Sequence, residues 1–414
     1  MHAPPRPSPR FSRLILLFSI LGGCVFAAAV LLWLGVTPHN IGRSDFTSTV
    51  VGATILLHHG FHPLYSPSLQ SVIHARLIAP DREGNLPFVN PPFAALLALP
   101  LAWLPLDAAY RVFVIIQLVC VIAGATLVLR SHNPPHTRRH TIPLLALSLG
   151  TPAVLALMLL GQWDGLLVLT TAAGFIAFRH GHRSRGIVFI LLPMLALKPH
   201  LALGIGIVFL ASGSWDMVVP TLASGIAVGL GTLLLLGGHG TGAYLSLLSH
   251  DATMWPYASF EGLSGLFGSW FGNTLPTSLL TAAGTVLCII GAVAAGRRIH
   301  AHVTPTAADL ALAFVISLLM CPHLLMHDLV LLIPPMCALA AQGLGGQQDG
   351  IVDIGSGIPI LLCVWSAGTI AEGLDFGHLA PYAPGKLVPL VLALAALLLL
   401  MGAQLRPTRI VTTV

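Results

Sequence analysis

Charge is scarce in this chain. Of 414 residues, only 19 are Lys or Arg and 14 are Asp or Glu, against 56% hydrophobic residues. That is 8% charged, where an ordinary soluble domain carries about 25%. With a mean hydropathy of +0.89, the soluble globular class is excluded and a polytopic membrane protein is implied. The net charge of +5 is too thinly spread to be a nucleic-acid footprint, so no nucleic acid is expected as a partner. Cysteine is also sparse. Cys24, Cys120, Cys288, Cys321, Cys337 and Cys363 lie mostly inside apolar runs with no CxxC spacing, which excludes a disulfide framework and a cysteine zinc site. A clear A-x-A cleavage site is lacking after the N-terminal apolar stretch 14–36, which is also longer than the core of a leader peptide and is read as a retained first span. No repeat or low-complexity tract stands out.

What is present is a succession of apolar runs. A bilayer requires every backbone polar group to be satisfied within the protein, and runs of this length choose helices over a barrel. The fold class is therefore an all-α polytopic membrane protein. Spans are expected near 14–36, 107–129, 141–160, 164–178, 186–198, 199–212, 217–237, 275–296, 306–321, 328–343, 354–372 and 386–404, about twelve in all. The stretch 92–105, opened by paired prolines and broken by Pro100 and Pro105, reads as an interfacial or re-entrant helix. These make one integral domain over 14–404, between a cytoplasmic N-terminus at 1–13 and a cytoplasmic tail at 405–414.

The few basic residues set the orientation, because Lys and Arg concentrate in cytoplasmic segments. With the N-terminus inside, thirteen of the nineteen fall inside (Arg6, Arg10, Arg13, Arg130, Arg138, Arg139, Arg179, Arg183, Arg185, Arg297, Arg298, Arg406 and Arg409). The long segments 37–106 and 238–274 are then both outside, and the side with the elaborate loops is the expected working side.

Against this background each acid or lone polar residue near membrane depth is a site candidate. Asp45, in a short loop after the first span and beside Arg43, reads either as a general base acting on a hydroxyl or as a solvated acid or helix N-cap. Gln162 and Asp164 in GQWDGLL are either functional or part of a tight hairpin. Lys198 and His200 in LALKPH interrupt a 27-residue apolar stretch; a phosphate partner would explain the lysine, and so would snorkelling to the headgroups. His323, His327 and Asp328 in CPHLLMHD form a polar cluster at the outer end of a span. Two of these histidines stand four apart, but without a third ligand at recognisable spacing no metal site is assigned. In 238–274, Glu261 lies among His250, Asp251, Trp255, Tyr257 and Trp270, a composition that suits sugar hydroxyls and faces or an interfacial aromatic belt.

Asp45-Phe46, the turn from Gly60 through Pro63 to Tyr65, Asn90-Pro91-Pro92-Phe93-Ala94-Ala95-Leu96, Gly161-Gln162, Lys198-Pro199, and Pro322-His323 through His327-Asp328 to Pro334 are collinear over about residues 40–340. In this order they resemble glycosyltransferase family 87, and through it the polyprenyl-phosphate-mannose-dependent α-1,2-mannosyltransferases of the GT-C superfamily. The resemblance implies a GT-C-like helical bundle with long extracytoplasmic loops in the cell (inner) membrane. It implies transfer of a hexose, mannose by preference, from a polyprenyl-phosphate donor to a glycolipid or glycan acceptor. Asp45 would be the base. Arg43, Tyr65, Gln162, Asp164, Lys198, His200, Glu261, His323, His327 and Asp328 would be substrate-binding, with no cofactor beyond the lipid-linked donor. The alternative is a transporter or flippase of polyprenol-linked lipids, which paired discontinuous helices in two related halves would favour.

Overall fold

A computed structural model of the chain describes residues 9–81, 86–132, 140–254, 260–302, 305–344 and 388–404. Among the described residues the structure is helical without strands. Helix α1 spans Pro9–Leu34, and a short α2, Pro38–Gly42, follows it. Next come α3 (Asp45–His59), α4 (Pro67–Ile78) and α5 (Pro92–Ala98), the last running into a 3₁₀ turn over Leu99–Trp103. The central helices are α6 (Leu106–His132), α7 (Thr141–Leu149), α8 (Pro152–Leu160), α9 (Asp164–Arg179), α10 (Arg183–Leu197) and α11 (Pro199–Ala211). The rest are α12 (Trp215–Met254), α13 (Leu263–Phe271), α14 (Leu275–Ala301), α15 (Ala307–Met320), a 3₁₀ segment over Met326–Leu332, α16 (Ile333–Leu344) and α17 (Val388–Gln404).

Proline does much of the punctuation. It stands in the first turn of α2, α4, α5, α8, α11 and α14, where its missing N–H is no loss and its fixed φ already suits a helix. The paired prolines at 91 and 92 open α5 in this way, as their sequence suggests.

Among the described residues, four helices are long and apolar enough to cross a membrane: Leu16–Leu34, Leu106–Ser131, Trp215–His250 and Leu275–Ala301. The pair α7 and α8 makes a fifth if counted together, but it is bent by 58°, so the expected span 141–160 is a broken one. The other described apolar runs are shorter helices, and the expected span 354–372, both chain ends and Cys363 lie outside the described residues. The five described cysteines are free.

Two loop expectations change. Residues 238–254 continue α12 beyond a break at Gly237, whose φ of 67° is the left-handed region, and Leu263–Phe271 is helical as well. Gly238, Gly240 and Gly242 lie in the expected outside loop, yet here they are helical. The segment 37–106 is likewise mostly helix, with α3 packed on α4 and α5. Asp45 is accordingly the first residue of a helix, not a loop residue.

The core runs through the bundle. Helix α9 packs against α6 and α10, α15 against α14 and α17, and the 3₁₀ segment 326–332 fills the space beside α8 and α9. The contact of α6 and α9 is close enough that a Cβ on Gly165 would stand 2.2 Å from the Gln117 carbonyl oxygen. The Gln117 side chain accepts from the Leu166 amide at 2.9 Å, satisfying a donor that the start of α9 would otherwise leave open.

Candidate active site

The start of α3 is fixed by both polar and aromatic contacts. The Ser44 and Thr47 hydroxyls donate to the Ile41 carbonyl at 2.7 and 2.6 Å, and the Ser48 hydroxyl donates to the Asp45 carbonyl at 2.8 Å. Phe46 is fully buried. Its ring meets Tyr110 at 5.6 Å and Phe113 at 5.2 Å, and Phe113 in turn meets Trp163 at 4.9 Å. The Tyr110 hydroxyl donates to the Met158 carbonyl at 2.7 Å, which ties α6 to the end of α8. Arg111 donates to the Val36 carbonyl at 2.7 Å and lies over the Trp33 ring, holding the end of α1 to the same corner.

These contacts bring the GQWD turn, 117 residues away in sequence, onto Asp45. The turn begins at Gly161, left-handed with φ 65°, and a Cβ there would stand 2.6 Å from Phe46 Cβ. Only glycine meets both demands. The Gln162 amide then donates to Asp45 Oδ2. Gln162 is buried and Asp45 half-buried, so the carboxylate is held on one side and borders the exterior.

Two residues further on, Asp164 begins α9 and a second cluster. Lys198 Nζ donates to Asp164 Oδ2 at 2.8 Å and to Asp328 Oδ1 at 2.9 Å, and lies 3.1 Å from His327 Nδ1. His327 Nδ1 is also 3.0 Å from Asp164 Oδ2. Asp328 Oδ2 accepts from the Leu325 amide at 2.8 Å. Asp164 and Asp328 are 0% exposed, His327 2% and Lys198 4%. Asp164 Oδ1 and His327 Nε2 have no hydrogen-bond partner, which is rare for buried polar atoms.

This geometry gives Lys198 partners from within the protein. A buried ammonium does need an anion, but the protein supplies it twice, as Asp164 and Asp328. Neither a phosphate nor snorkelling to the headgroups is required, and the head is not at a surface. The three acceptor atoms of Asp164, His327 and Asp328 lie within 4.8 Å of one another and could hold a cation; the lysine head is bonded to all three. His323 is not one of the three; the set joins the neighbours His327 and Asp328 to Asp164, 163 residues away from His327.

The remaining candidates divide. His200 lies within electrostatic reach of Asp328, Lys198, His323 and Asp164, so both half-buried histidines border the cluster. The His323 ring stacks on Phe260 at 4.8 Å. Glu261 joins the same corner through its amide, which donates to the Leu324 carbonyl at 2.7 Å. Its Oε2 is buried without a partner, and burial pushes the carboxyl up to about 7. Arg43 is exposed, two residues before Asp45. Tyr65, expected to face substrate, is instead a buried strut: its hydroxyl donates to the Asn90 carbonyl at 2.6 Å, and its ring lies 4.7 Å from Tyr244. His250 is exposed near the end of α12, and the side chains of Asp251, Trp255 and Tyr257 lie outside the described residues.

Sequence reasoning missed Tyr110, Gln117 and Gln70. The Gln70 amide donates to the Leu64 carbonyl at 2.9 Å and accepts from the Phe88 amide at 2.9 Å. A lone glutamine inside an apolar helix, as Gln117 is, was the available signal.

A family model described as Glycosyltransferase family 87 matches residues 88–322, more than half of the chain. The matched stretch contains Gly161, Gln162, Asp164, Lys198, His200 and Glu261, while Asp45 precedes it and His327 and Asp328 follow it. No curated protein and no solved structure matches the chain.

Proposed function

We propose, since this chain belongs to glycosyltransferase family 87, that it moves a hexose, mannose by preference, from a polyprenyl-phosphate donor to a glycolipid or glycan acceptor on the extracytoplasmic face of the cell membrane. Glycosyltransferase activity and membrane character follow from the family and from the apolar helices. Donor, acceptor and sidedness are the proposal. The observation that carries it is the half-buried Asp45 carboxylate, hydrogen-bonded by Gln162 at the edge of the bundle.

In this reading the acceptor hydroxyl attacks the anomeric carbon directly. Its oxygen forms the new bond as the bond from the anomeric carbon to the phosphate oxygen breaks. The hydroxyl proton passes to Asp45, and the lipid phosphate departs with the electron pair. Gln162 keeps the carboxylate aimed. Arg43, His200 and His323 would supply charge or hydrogen bonds to the leaving phosphate. A lipid phosphate leaves without a nucleotide, so the step is written without a cofactor. The basic residues support both termini in the cytoplasm and residues 37–106 outside; the apolar runs support about twelve spans, with the prenyl tail lying among the helices.

The test is to incubate the purified protein with polyprenyl-phosphate-mannose and a panel of glycolipid acceptors and to measure released polyprenyl phosphate. Release that requires an acceptor and yields a mannosylated product supports the reading. Movement of the intact lipid between leaflets of a proteoliposome without such release would support a flippase instead.

A further inference from the structure

The Lys198 cluster joins three parts of the chain that are far apart in sequence: the first residue of α9, the corner between α10 and α11, and the 3₁₀ segment 326–332. Its donor atoms are those of a metal centre, two carboxylates and an imidazole, and all are at most 2% exposed. An additional buried oxygen, Asp164 Oδ1, has no partner. Asp164 is also two residues from Gln162, and the Gly161 turn that carries both is seated on Phe46. Whatever fixes Asp164 therefore fixes the amide that holds Asp45.

We infer that the Lys198 ammonium is a built-in cation: it stands where a divalent metal ion would stand between Asp164, His327 and Asp328, and through the turn 161–164 it positions Gln162 against Asp45. Lys198 is thus a positioning residue that does not touch the donor. The link to catalysis rests on the transferase reading above; the cation site does not. Truncating the lysine leaves two buried carboxylates and one imidazole around a space suited to a divalent ion, which would draw them in to about 2.0–2.2 Å. Two carboxylates neutralise such an ion fully.

The experiment uses the full chain in detergent, as wild type and as Lys198→Ala, with Co²⁺ as the probe because its visible spectrum reports its ligands. The wild type should show no cobalt spectrum from this site, because the ammonium fills it. Lys198→Ala should bind Co²⁺ and show the absorption of a nitrogen and oxygen ligand set. Without metal, amide hydrogen exchange over 161–166 should rise, and kcat should fall by about 10–100-fold, the usual effect of losing an outer-shell partner. KM for the donor should stay near the wild-type value, and Co²⁺ should restore both exchange protection and kcat. A raised donor KM with unchanged kcat and exchange would make Lys198 a phosphate contact and overturn the inference. So would a folded alanine variant that binds no Co²⁺.

Should Lys198→Ala fail to fold, Lys198→Met combined with Asp328→Asn keeps the net charge of the lysine and two aspartates at −1 and leaves an oxygen to accept from Leu325. That variant should show the same rise in exchange over 161–166, and wild-type protection there would overturn the inference. If the wild type transfers no sugar, the transferase reading fails while the cobalt and exchange measurements still decide the cation site.

Discussion

Alanine at Gly161 isolates the contact that seats the GQWD turn on the start of α3. The substitution has two separable costs. The left-handed backbone, φ 65°, costs a non-glycine residue roughly 1–2 kcal/mol. The new methyl would stand 2.6 Å from Phe46 Cβ, where ordinary contact begins at 3.4 Å, and forcing such a contact typically costs about 1–3 kcal/mol. Gly181 supplies the control. It closes the left-handed turn after α9, where its amide donates to the Phe178 carbonyl and the His182 amide to the Ala177 carbonyl; it has φ 77° and nothing within 4 Å of an added Cβ, so Gly181→Ala meets the backbone cost alone. Relief of the clash requires Phe46 and the turn to separate by about 0.8 Å, the difference between those two distances. Gln162 and Asp45 are the immediate neighbours on either side, and a misplacement of about 1 Å can cost on the order of a hundredfold in rate. Thermal unfolding in detergent should rank wild type above Gly181→Ala and Gly181→Ala above Gly161→Ala. Turnover should collapse only in Gly161→Ala. Equal destabilisation of the two alanine variants, or full turnover by Gly161→Ala, would refute the account of how the turn is held.

Three further outcomes follow from other parts of the structure. Gln162→Leu removes a hydrogen bond to a charged group, worth about 1.5–3 kcal/mol, and should lower kcat by about 10–100-fold at unchanged donor KM; steady-state kinetics check it. Glu261 is raised by burial from 4.5 to about 7, so its neutral form is favoured in the folded protein. Its contribution to stability is full below pH 4.5 and fades as pH rises through about 7; Glu261→Gln should flatten that part of the pH profile of thermal unfolding and melt above the wild type at pH 8, a value about one unit past the midpoint. A cysteine at the exposed position Ser71, in an otherwise cysteine-free chain, should be labelled by an impermeant maleimide in intact cells, and labelling only after permeabilisation would invert the topology.

Much of the framework was legible because it is local. Apolar runs became helices, prolines at 92, 152 and 199 opened them, and the polar interruptions at Gln162, Asp164, Lys198 and His327 turned out to be the residues that meet. What was not legible is how they meet. Asp45 and Gln162 are 117 residues apart, and Lys198 finds its carboxylates 34 and 130 residues away. Nothing in local spacing encodes that pairing, so a lysine in an apolar stretch suggested an external anion when the anions were internal. The glycine-rich stretch after Gly237 misled in the opposite direction. The segment left between two expected spans read as a loop, but the chain breaks at Gly237 and resumes its helix. Tyr65 illustrates a third limit, since an aromatic hydroxyl suits a sugar as well as a carbonyl, and only burial shows that Asn90 claims it.

The central claim is that a polyprenyl-phosphate hexose is transferred with Asp45 as base. Its most direct test is the rate of acceptor-dependent release of polyprenyl phosphate by wild type and Asp45→Asn, with lipid-donor binding measured on the same preparations. General-base catalysis contributes on the order of 10²–10⁴ in rate, and asparagine keeps shape and polarity without basicity. The account predicts normal insertion, unchanged donor binding and turnover at least about a hundredfold slower. Near-normal transfer by Asp45→Asn, with Asp164→Asn or Glu261→Gln inactive instead, would contradict it.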